Sequence, residues 1–86
     1  MRIDRIERGM LAKSKAGHDK GQIYMIYEVD ETYVYLVDGK IRTMEKPKKK
    51  KTKHIQIISE KYDMTRIDDV GIKRILKLFD KETGRI

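Results

Sequence analysis

The chain has 86 residues, no cysteine and a formal net charge of +7, and 41% of its residues are charged against 38% that are hydrophobic. This length predicts one small domain, and the lack of cysteine excludes disulfides and thiolate metal sites. No apolar segment is long enough for a signal peptide or a membrane span, so we expect a soluble cytoplasmic protein.

The excess positive charge lies in one segment. Residues 40–54 contain eight cations and one anion, and the other 13 cations and 13 anions cancel. A focused positive charge attracts polyanions such as nucleic acid or an acidic membrane surface.

Two short strands are predicted first along the chain, at residues 9–14 and 22–29. The second is rich in β-branched and aromatic residues that alternate with polar ones, as is typical of a strand. The loop between them, residues 15–21, is bracketed by Gly17 and Gly21, which supply positive φ angles in a tight turn. We expect Asp19 to fix this turn by accepting hydrogen bonds from nearby backbone amides.

The next predicted strand covers residues 33–37 and ends at Asp38-Gly39, a strong signal for a two-residue hairpin turn. Residues 40–45 are therefore expected to return antiparallel to it, and Pro47 to end that strand. Residues 46–53 contain a lysine run and no apolar side chain, which predicts an exposed, mobile loop that becomes ordered when it binds a partner. Residues 54–58 are expected to form a short closing strand.

A helix is predicted over about residues 69–82, with Asp68 or Asp69 as its N-cap. Its apolar side chains recur at helical spacing and define one face: Ile72, Ile75, Leu76 and Phe79. This face would either cover an open end of a barrel or dock on a protein partner, and we favour the first. Five short strands without intervening helices cannot form a parallel sheet, so a mainly β fold with a small antiparallel barrel, residues 1–58, and a helical extension, residues 59–86, is expected.

Signals for an enzyme are weak. Ser14, His18 and Asp19 could be drawn as a catalytic set, but they share one loop in a chain with little core to build a buried site. The two glycines lack the spacing of a phosphate-binding Walker loop, and the two histidines, His18 and His54, lack further metal ligands. We therefore expect no catalysis, no cofactor, no metal and no small-molecule substrate.

The five tyrosines have two interpretations. They could stack on unpaired bases, or they could fill and rim the core, which is the simpler interpretation. They are Tyr24, Tyr27, Tyr33, Tyr35 and Tyr62.

The segment GMLAKSKAGHDKGQIYMIYEVD resembles the KOW motif, in which a strand, a glycine-containing turn and a second strand open an SH3-like barrel that binds RNA. The segment YVYLVDGKIRTMEKPKKKKTKHIQI extends the resemblance to the KOW domain of the archaeal and eukaryotic-type large-subunit ribosomal protein L-fourteen-e. Its small bacterial relatives in Firmicutes, described as KOW-domain RNA-binding proteins, resemble the chain more closely. The resemblance covers residues 9–58 and rests on the order S-K-A-G-x-D-K-G, V-D-G-K-x-R, KPKKK and K-H-I.

The resemblance implies a five-stranded SH3-like barrel that binds RNA. The expected ligand is ribosomal RNA of the large subunit, and the expected role is that of a ribosome-associated or translation-related factor. It points to the turn around Asp19, to Arg42 and to residues 48–54. Relatives usually carry arginine, a planar charged fork, where this chain has His18, which when neutral offers one donor. Charge and resemblance together give the expected RNA-binding side chains: Lys13, Lys15, His18, Lys20, Lys40, Arg42, Lys46, Lys48, Lys49, Lys50, Lys51, Lys53 and His54.

Two other functions remain open from the sequence. The protein could be a KOW-type transcription or translation factor that docks on a protein such as RNA polymerase. It could also bind nucleic acids or anionic surfaces without specificity.

Overall fold

The computed structural model of the chain describes residues 5–59 and 61–82, which form one antiparallel sheet and one helix. The strands are β1 (Leu11–Ser14), β2 (Ile23–Val29), β3 (Tyr33–Val37), β4 (Lys48–Lys51) and β5 (Ile55–Ile57); a one-turn 3-10 helix, Thr52–His54, joins the last two, and the helix α1 is Asp69–Glu82. The predicted mainly β fold of five antiparallel strands with a C-terminal helix is thereby confirmed.

The sheet has the strand order β4-β3-β2-β1-β5, so the two last strands of the chain lie at opposite edges. Within the described residues, β4 pairs with β3 and β5 pairs with β1, and no ladder joins β4 to β5. The sheet is therefore open. A register shift at Tyr27 leaves that residue as a bulge between β2 and β3, which adds twist.

One face of the sheet is the concave side and carries the first core cluster. Its buried side chains come from four strands and are Ala12, Tyr24, Ile26, Val34, Leu36 and Ile55. The sheet curls around this cluster, because the 3-10 helix lies against residues next to both β3 and β1. The Thr52 N–H donates to the Thr32 carbonyl at 2.9 Å, and the His54 carbonyl accepts the Lys15 N–H at 2.8 Å.

The opposite, convex face carries the second cluster, which includes the helix. Leu11, Met25 and Val37 are neighbours on adjacent strands and pack against Ile72 and Leu76 of α1. The predicted apolar face of the helix is confirmed, and it is used internally. It covers the convex face of the sheet, not an open end of a barrel as expected.

The helix begins where the sequence predicts. The carboxylate of Asp68 accepts the backbone N–H of Gly71 at 2.8 Å, which satisfies one of the donors at the helix N-terminus. The neighbouring Asp69 accepts the N–H of Met44 at 2.9 Å and so ties the loop before β4 to the helix. No helix among the described residues is long and apolar enough to cross a membrane.

The predicted hairpin at Asp38-Gly39 is wrong. A type I′ turn needs positive φ at both central residues; Gly39 has a φ of 78°, but no described non-glycine residue has a positive φ. Instead the Asp38 carboxylate accepts the N–H groups of Lys40 at 2.8 Å and Arg42 at 2.9 Å, which closes a local turn. Residues 40–45 consequently form a loop that passes the start of α1.

The prediction that the lysine run is a mobile loop is also wrong. Lys48–Lys51 is β4, and its four residues pair in register with β3. Pro47 directly precedes this strand and does not end one, a position at which its missing N–H removes no ladder hydrogen bond.

Candidate nucleic-acid interface

The carboxylate of Asp19 is the centre of a polar cluster at one end of the curled sheet. Its Oδ1 accepts a hydrogen bond from Ser14 Oγ at 2.8 Å and one from Lys50 Nζ at 2.8 Å. Its Oδ2 accepts one from the Tyr24 hydroxyl at 2.9 Å and lies 3.3 Å from Lys48 Nζ. We call these five residues the Asp19 cluster.

Asp19 therefore holds the structure together in a way different from the prediction. The expected donors were backbone amides of the turn, whereas the donors found are side chains from β1, β2 and β4. The carboxylate consequently joins the turn of residues 15–21 to a distant edge strand.

Alternation along β4 explains why two of its lysines reach inward. Lys48 lies opposite Leu36 and Lys50 opposite Val34, so both follow the concave face. Both side chains therefore lie on the face of the first core cluster, and their ammonium groups reach Asp19. The Lys50 side chain is only 10% exposed, and Nζ also donates to the Ala16 carbonyl at 3.1 Å.

Burial and charge act in opposite directions on this carboxylate. Burial alone would raise the pKa of Asp19, but the hydrogen bonds from Lys50, Ser14, Tyr24 and Lys48 outweigh it and hold the pKa well below its usual value. Burial, followed by the hydrogen bond to Asp19, raises the pKa of Tyr24. At neutral pH these shifts keep Asp19 as a carboxylate and Tyr24 as a neutral phenol.

The Asp19 cluster brings the two basic segments of the sequence together. The turn of residues 15–21 also donates the N–H of Lys15 to the carbonyl of His54 at 2.8 Å. The turn therefore lies against both β4 and the 3-10 helix. The exposed basic side chains of these joined segments, which we call the basic rim, are Lys15, His18, Lys20, Lys49, Lys51 and Lys53.

The remaining predicted RNA-binding residues lie elsewhere or are partly covered. Lys40 is exposed beside the helix, in a cleft of about 440 Å³ that Lys73 and Lys77 also line. Arg42 is half-buried in the loop after β3, and Lys46 is exposed just before β4. Lys13 and His54 are half-buried too, on β1 and in the 3-10 helix respectively. The structure therefore brings together the turn and the lysine run, but not all of the basic residues.

The outward side chains of β4 meet two tyrosines of β3. Lys49 lies opposite Tyr35 and Lys51 opposite Tyr33, and the Lys49 ammonium is 4.2 Å from the centre of the Tyr33 ring. Both tyrosines are partly exposed. The simpler interpretation, tyrosine as core, holds for Tyr24, which is 6% exposed, and less for this pair.

Sequence reasoning missed the roles of Ser14 and Tyr24 in this cluster. Both residues lie on the concave face, where an isolated hydroxyl would be costly to bury without a partner. The sequence does contain a signal for this cluster, which is an acidic residue in a turn with a hydroxyl side chain on each flanking strand. The signal can be recognised only once the register of β1 and β2 is known, because the register shows that both hydroxyls face inward.

The structure does not assemble the catalytic set considered above. Ser14 is 1% exposed and donates to Asp19, whereas His18 is exposed and, within the described part of the chain, forms a hydrogen bond with neither residue. Over residues 5–59 and 61–82 no group of three or more His, Asp or Glu side chains is placed to hold a metal ion.

The chain was compared with protein-family models and with curated proteins. No protein-family model matches the chain, and no curated protein matches it. The functional interpretation therefore rests on the residues themselves and on the resemblance described above.

Proposed function

We propose that the protein is a non-catalytic RNA-binding protein of the KOW type that associates with ribosomal RNA of the large subunit. The observation that carries the proposal is the Asp19 cluster, which joins the glycine-bracketed turn to the lysine strand. One carboxylate is shared by two ammonium groups there, so the joined segments keep a net positive charge before any of the exposed cations is counted. Such a surface attracts the phosphate backbone.

We propose further that the curled sheet is an SH3-like barrel. The strand order and the single 3-10 turn between β4 and β5 support this, because that turn carries the chain from one edge of the sheet to the other. The ion pairs from Lys48 and Lys50 to Asp19 draw the β4 edge toward the β1–β2 turn. In this barrel the edges meet through the turn and the ion pairs rather than through a ladder.

The lysines of the basic rim would contribute to the affinity for RNA more than to discrimination between RNA sequences. An ammonium group binds phosphate as a point charge and lacks the planar fork of arginine. Selection of ribosomal RNA would then come from the shape of the RNA and from contacts by the backbone at Gly17, where an added Cβ would meet no atom closer than 3.8 Å.

Docking on a protein partner through the helix has less support. The apolar face that would dock is packed in the second core cluster, with Ile72 and Leu76 buried and Ile75 and Phe79 packed beside them. RNA binding is therefore the function we favour over the protein-docking alternative.

The test is co-sedimentation with ribosomes on sucrose gradients at low and moderate salt. The variant replaces Lys49, Lys51 and Lys53 by Gln, because these three side chains are exposed and lie outside the Asp19 cluster. The matched control replaces three exposed cations of α1, Lys73, Arg74 and Lys77, by Gln, which removes the same charge elsewhere.

The wild type and the helix variant are expected to migrate with the large subunit at moderate salt, and the strand variant is expected to remain at the top. Each lost phosphate contact reduces the salt dependence of binding. For the strand variant, the slope of the logarithm of the binding constant against the logarithm of the salt concentration should therefore be smaller in magnitude by about 2 to 3. Equal loss of ribosome binding in the strand variant and the helix variant would support nonspecific attraction instead. If the wild type does not migrate with any ribosomal subunit, the ribosomal assignment is refuted.

A further inference from the structure

The outer face of the β3–β4 hairpin combines two tyrosine rings with two lysines. Tyr33 and Tyr35 alternate with inward-facing residues, and Lys49 and Lys51 do the same on the neighbouring strand. These four side chains continue the convex face of the sheet, but they are not part of the cluster that α1 covers. The helix therefore leaves this end of the convex face open.

The register holds the rings and the ammonium groups close together. The N–H of Thr52 donates to the carbonyl of Thr32 at 2.9 Å, which marks a hydrogen-bonded pair next to the ladder. Hydrogen-bonded and non-hydrogen-bonded pairs alternate along an antiparallel ladder, so the tyrosines and the outward lysines form non-hydrogen-bonded pairs. Side chains approach most closely at such pairs, and the diagonal contact is short as well, since the Lys49 ammonium lies 4.2 Å from the centre of the Tyr33 ring.

The turn before β3 fixes the backbone at Tyr33 and the ring of Tyr35. Asp30 Oδ1 accepts the backbone N–H groups of Thr32 at 2.9 Å and Tyr33 at 2.7 Å. Its other oxygen accepts the hydroxyl of Tyr35 at 3.1 Å. These hydrogen bonds lower the pKa of Asp30, so the carboxylate remains ionised and the turn remains closed at neutral pH. Rings that are already held in place lose little conformational freedom when a ligand stacks on them.

The two sides of the tyrosine pair carry opposite charge. Glu28 lies opposite Tyr35 on β2 and Asp30 bonds its hydroxyl, so carboxylates border the rings on one side. Lys49 and Lys51 border them on the other side, at the free edge of the sheet. A bound polyanion would place its phosphates along β4 and its bases over the rings.

We propose that this face, formed by Tyr33, Tyr35, Lys49 and Lys51, binds unpaired RNA nucleotides by stacking their bases on the tyrosine rings. The proposal rests on the proposed RNA-binding function and specifies its ligand. Two residues apart on a strand, the rings lie roughly 7 Å from each other and can each accept a base. A base that stacks on Tyr33 displaces the Lys49 ammonium, which then binds the phosphate of the same nucleotide.

The test compares a ten-nucleotide single-stranded RNA with an RNA duplex of equal length, by fluorescence anisotropy at fixed salt. Tyr33→Leu keeps an apolar side chain but removes the ring, and Tyr33→Phe keeps the ring. We expect the leucine variant to bind the single strand about 5- to 100-fold more weakly than the wild type, since that is the usual effect of losing one stacked base. Its affinity for the duplex and the affinity of the phenylalanine variant should stay within about twofold of the wild type.

Intrinsic fluorescence gives a second measurement that does not depend on the leucine variant. The chain contains five tyrosines and no tryptophan, so its emission comes from tyrosine. Stacking quenches that emission, and Tyr33→Phe should bind the single strand normally while showing less quenching than the wild type.

Equal single-strand affinity of the wild type and Tyr33→Leu, with unchanged quenching in Tyr33→Phe, would overturn the stacking proposal. The proposed function would survive that result as long as both RNAs still bind. If the wild type binds neither RNA, both proposals fail together.

Discussion

Replacing Asp19 by Asn is the most informative perturbation of this fold. The substitution keeps the size of the side chain but removes the charge that faces Lys48 and Lys50. Lys50 is 10% exposed, so its ammonium group would lose its counter-ion in a place that water hardly reaches. Removing one partner of a buried ion pair typically costs about 3 kcal/mol or more, because the other charge stays buried.

That loss is large for a chain of this size. Small domains are stable by roughly 0.05 to 0.15 kcal/mol per residue, so about 3 kcal/mol is a major part of the total. The assay is urea denaturation, which gives the free energy of unfolding of the wild type, Asp19→Asn, Lys50→Met and the double variant. We expect Lys50→Met to cost less in the Asp19→Asn background than in the wild type, by at least about 1 kcal/mol.

A matched control separates this cluster from ordinary surface charge. Lys61 and Glu7 form an ion pair at 3.0 Å between side chains that are 58% and 36% exposed. Glu7→Gln should therefore change the free energy of unfolding by less than about 1 kcal/mol. If Asp19→Asn cost no more than this control, or the two substitutions at Asp19 and Lys50 were additive, the buried ion pair would not stabilise the fold as argued.

The same variant has a distinct pH dependence. The pKa of Asp19 is lower in the folded protein than its usual value of 3.8, so the folded state favours the ionised form. The stabilisation is complete above the unfolded value and is lost as the pH falls through the lower, folded value. The difference in unfolding free energy between wild type and Asp19→Asn should therefore shrink as the pH falls below about 4, and a constant difference would refute the assignment.

Three further predictions, two of them with a control substitution, are tested by urea denaturation. Gly39→Ala places a methyl group against the backbone of α1 at a φ of 78° and should cost about 3 kcal/mol or more. Its control, Gly21→Ala, has a φ of 93° in open space and should cost about 1 kcal/mol. Equal costs would contradict the close contact between Gly39 and the helix. Leu76→Ala, at a buried helix position, should lose about 2 to 4 kcal/mol, and Leu78→Ala, which is 53% exposed, less than about 0.5 kcal/mol. Asp68→Ala should lose about 1 kcal/mol through its N-cap, and no change would remove that role.

The elements that the sequence predicts correctly have local signals. Strands β1, β2, β3 and β5 carry apolar or alternating side chains, and the helix has apolar residues at a spacing that sheet structure does not produce. Their boundaries agree with the prediction to within one or two residues. Most of the apolar side chains that define these patterns lie in one of the two core clusters, although Val29 at the end of β2 is exposed.

Strand β4 could not be predicted because its stabilising partners are distant in the sequence. A lysine run has low strand propensity and repels itself, so every local rule indicates a loop. The ion pairs from Lys48 and Lys50 to Asp19 reduce that repulsion, and the register places these two lysines opposite Leu36 and Val34, on the face of the first core cluster. The Asp38 side chain likewise accepts hydrogen bonds from two backbone N–H groups. The local turn that these bonds close replaces the hairpin turn that the dipeptide Asp38-Gly39 favours.

The alternation of β4 changes how the lysine run should be tested. Replacing all four lysines by alanine, the obvious experiment for a flexible basic loop, would remove two exposed charges together with both cationic partners of Asp19. Loss of RNA binding in that variant would be indistinguishable from loss of the fold. Lys49 and Lys51 test the proposed binding of RNA, and Lys48 and Lys50 test folding, so the two pairs must be changed separately. In this chain one run of identical residues stabilises the sheet with its inward half and presents positive charge with its outward half.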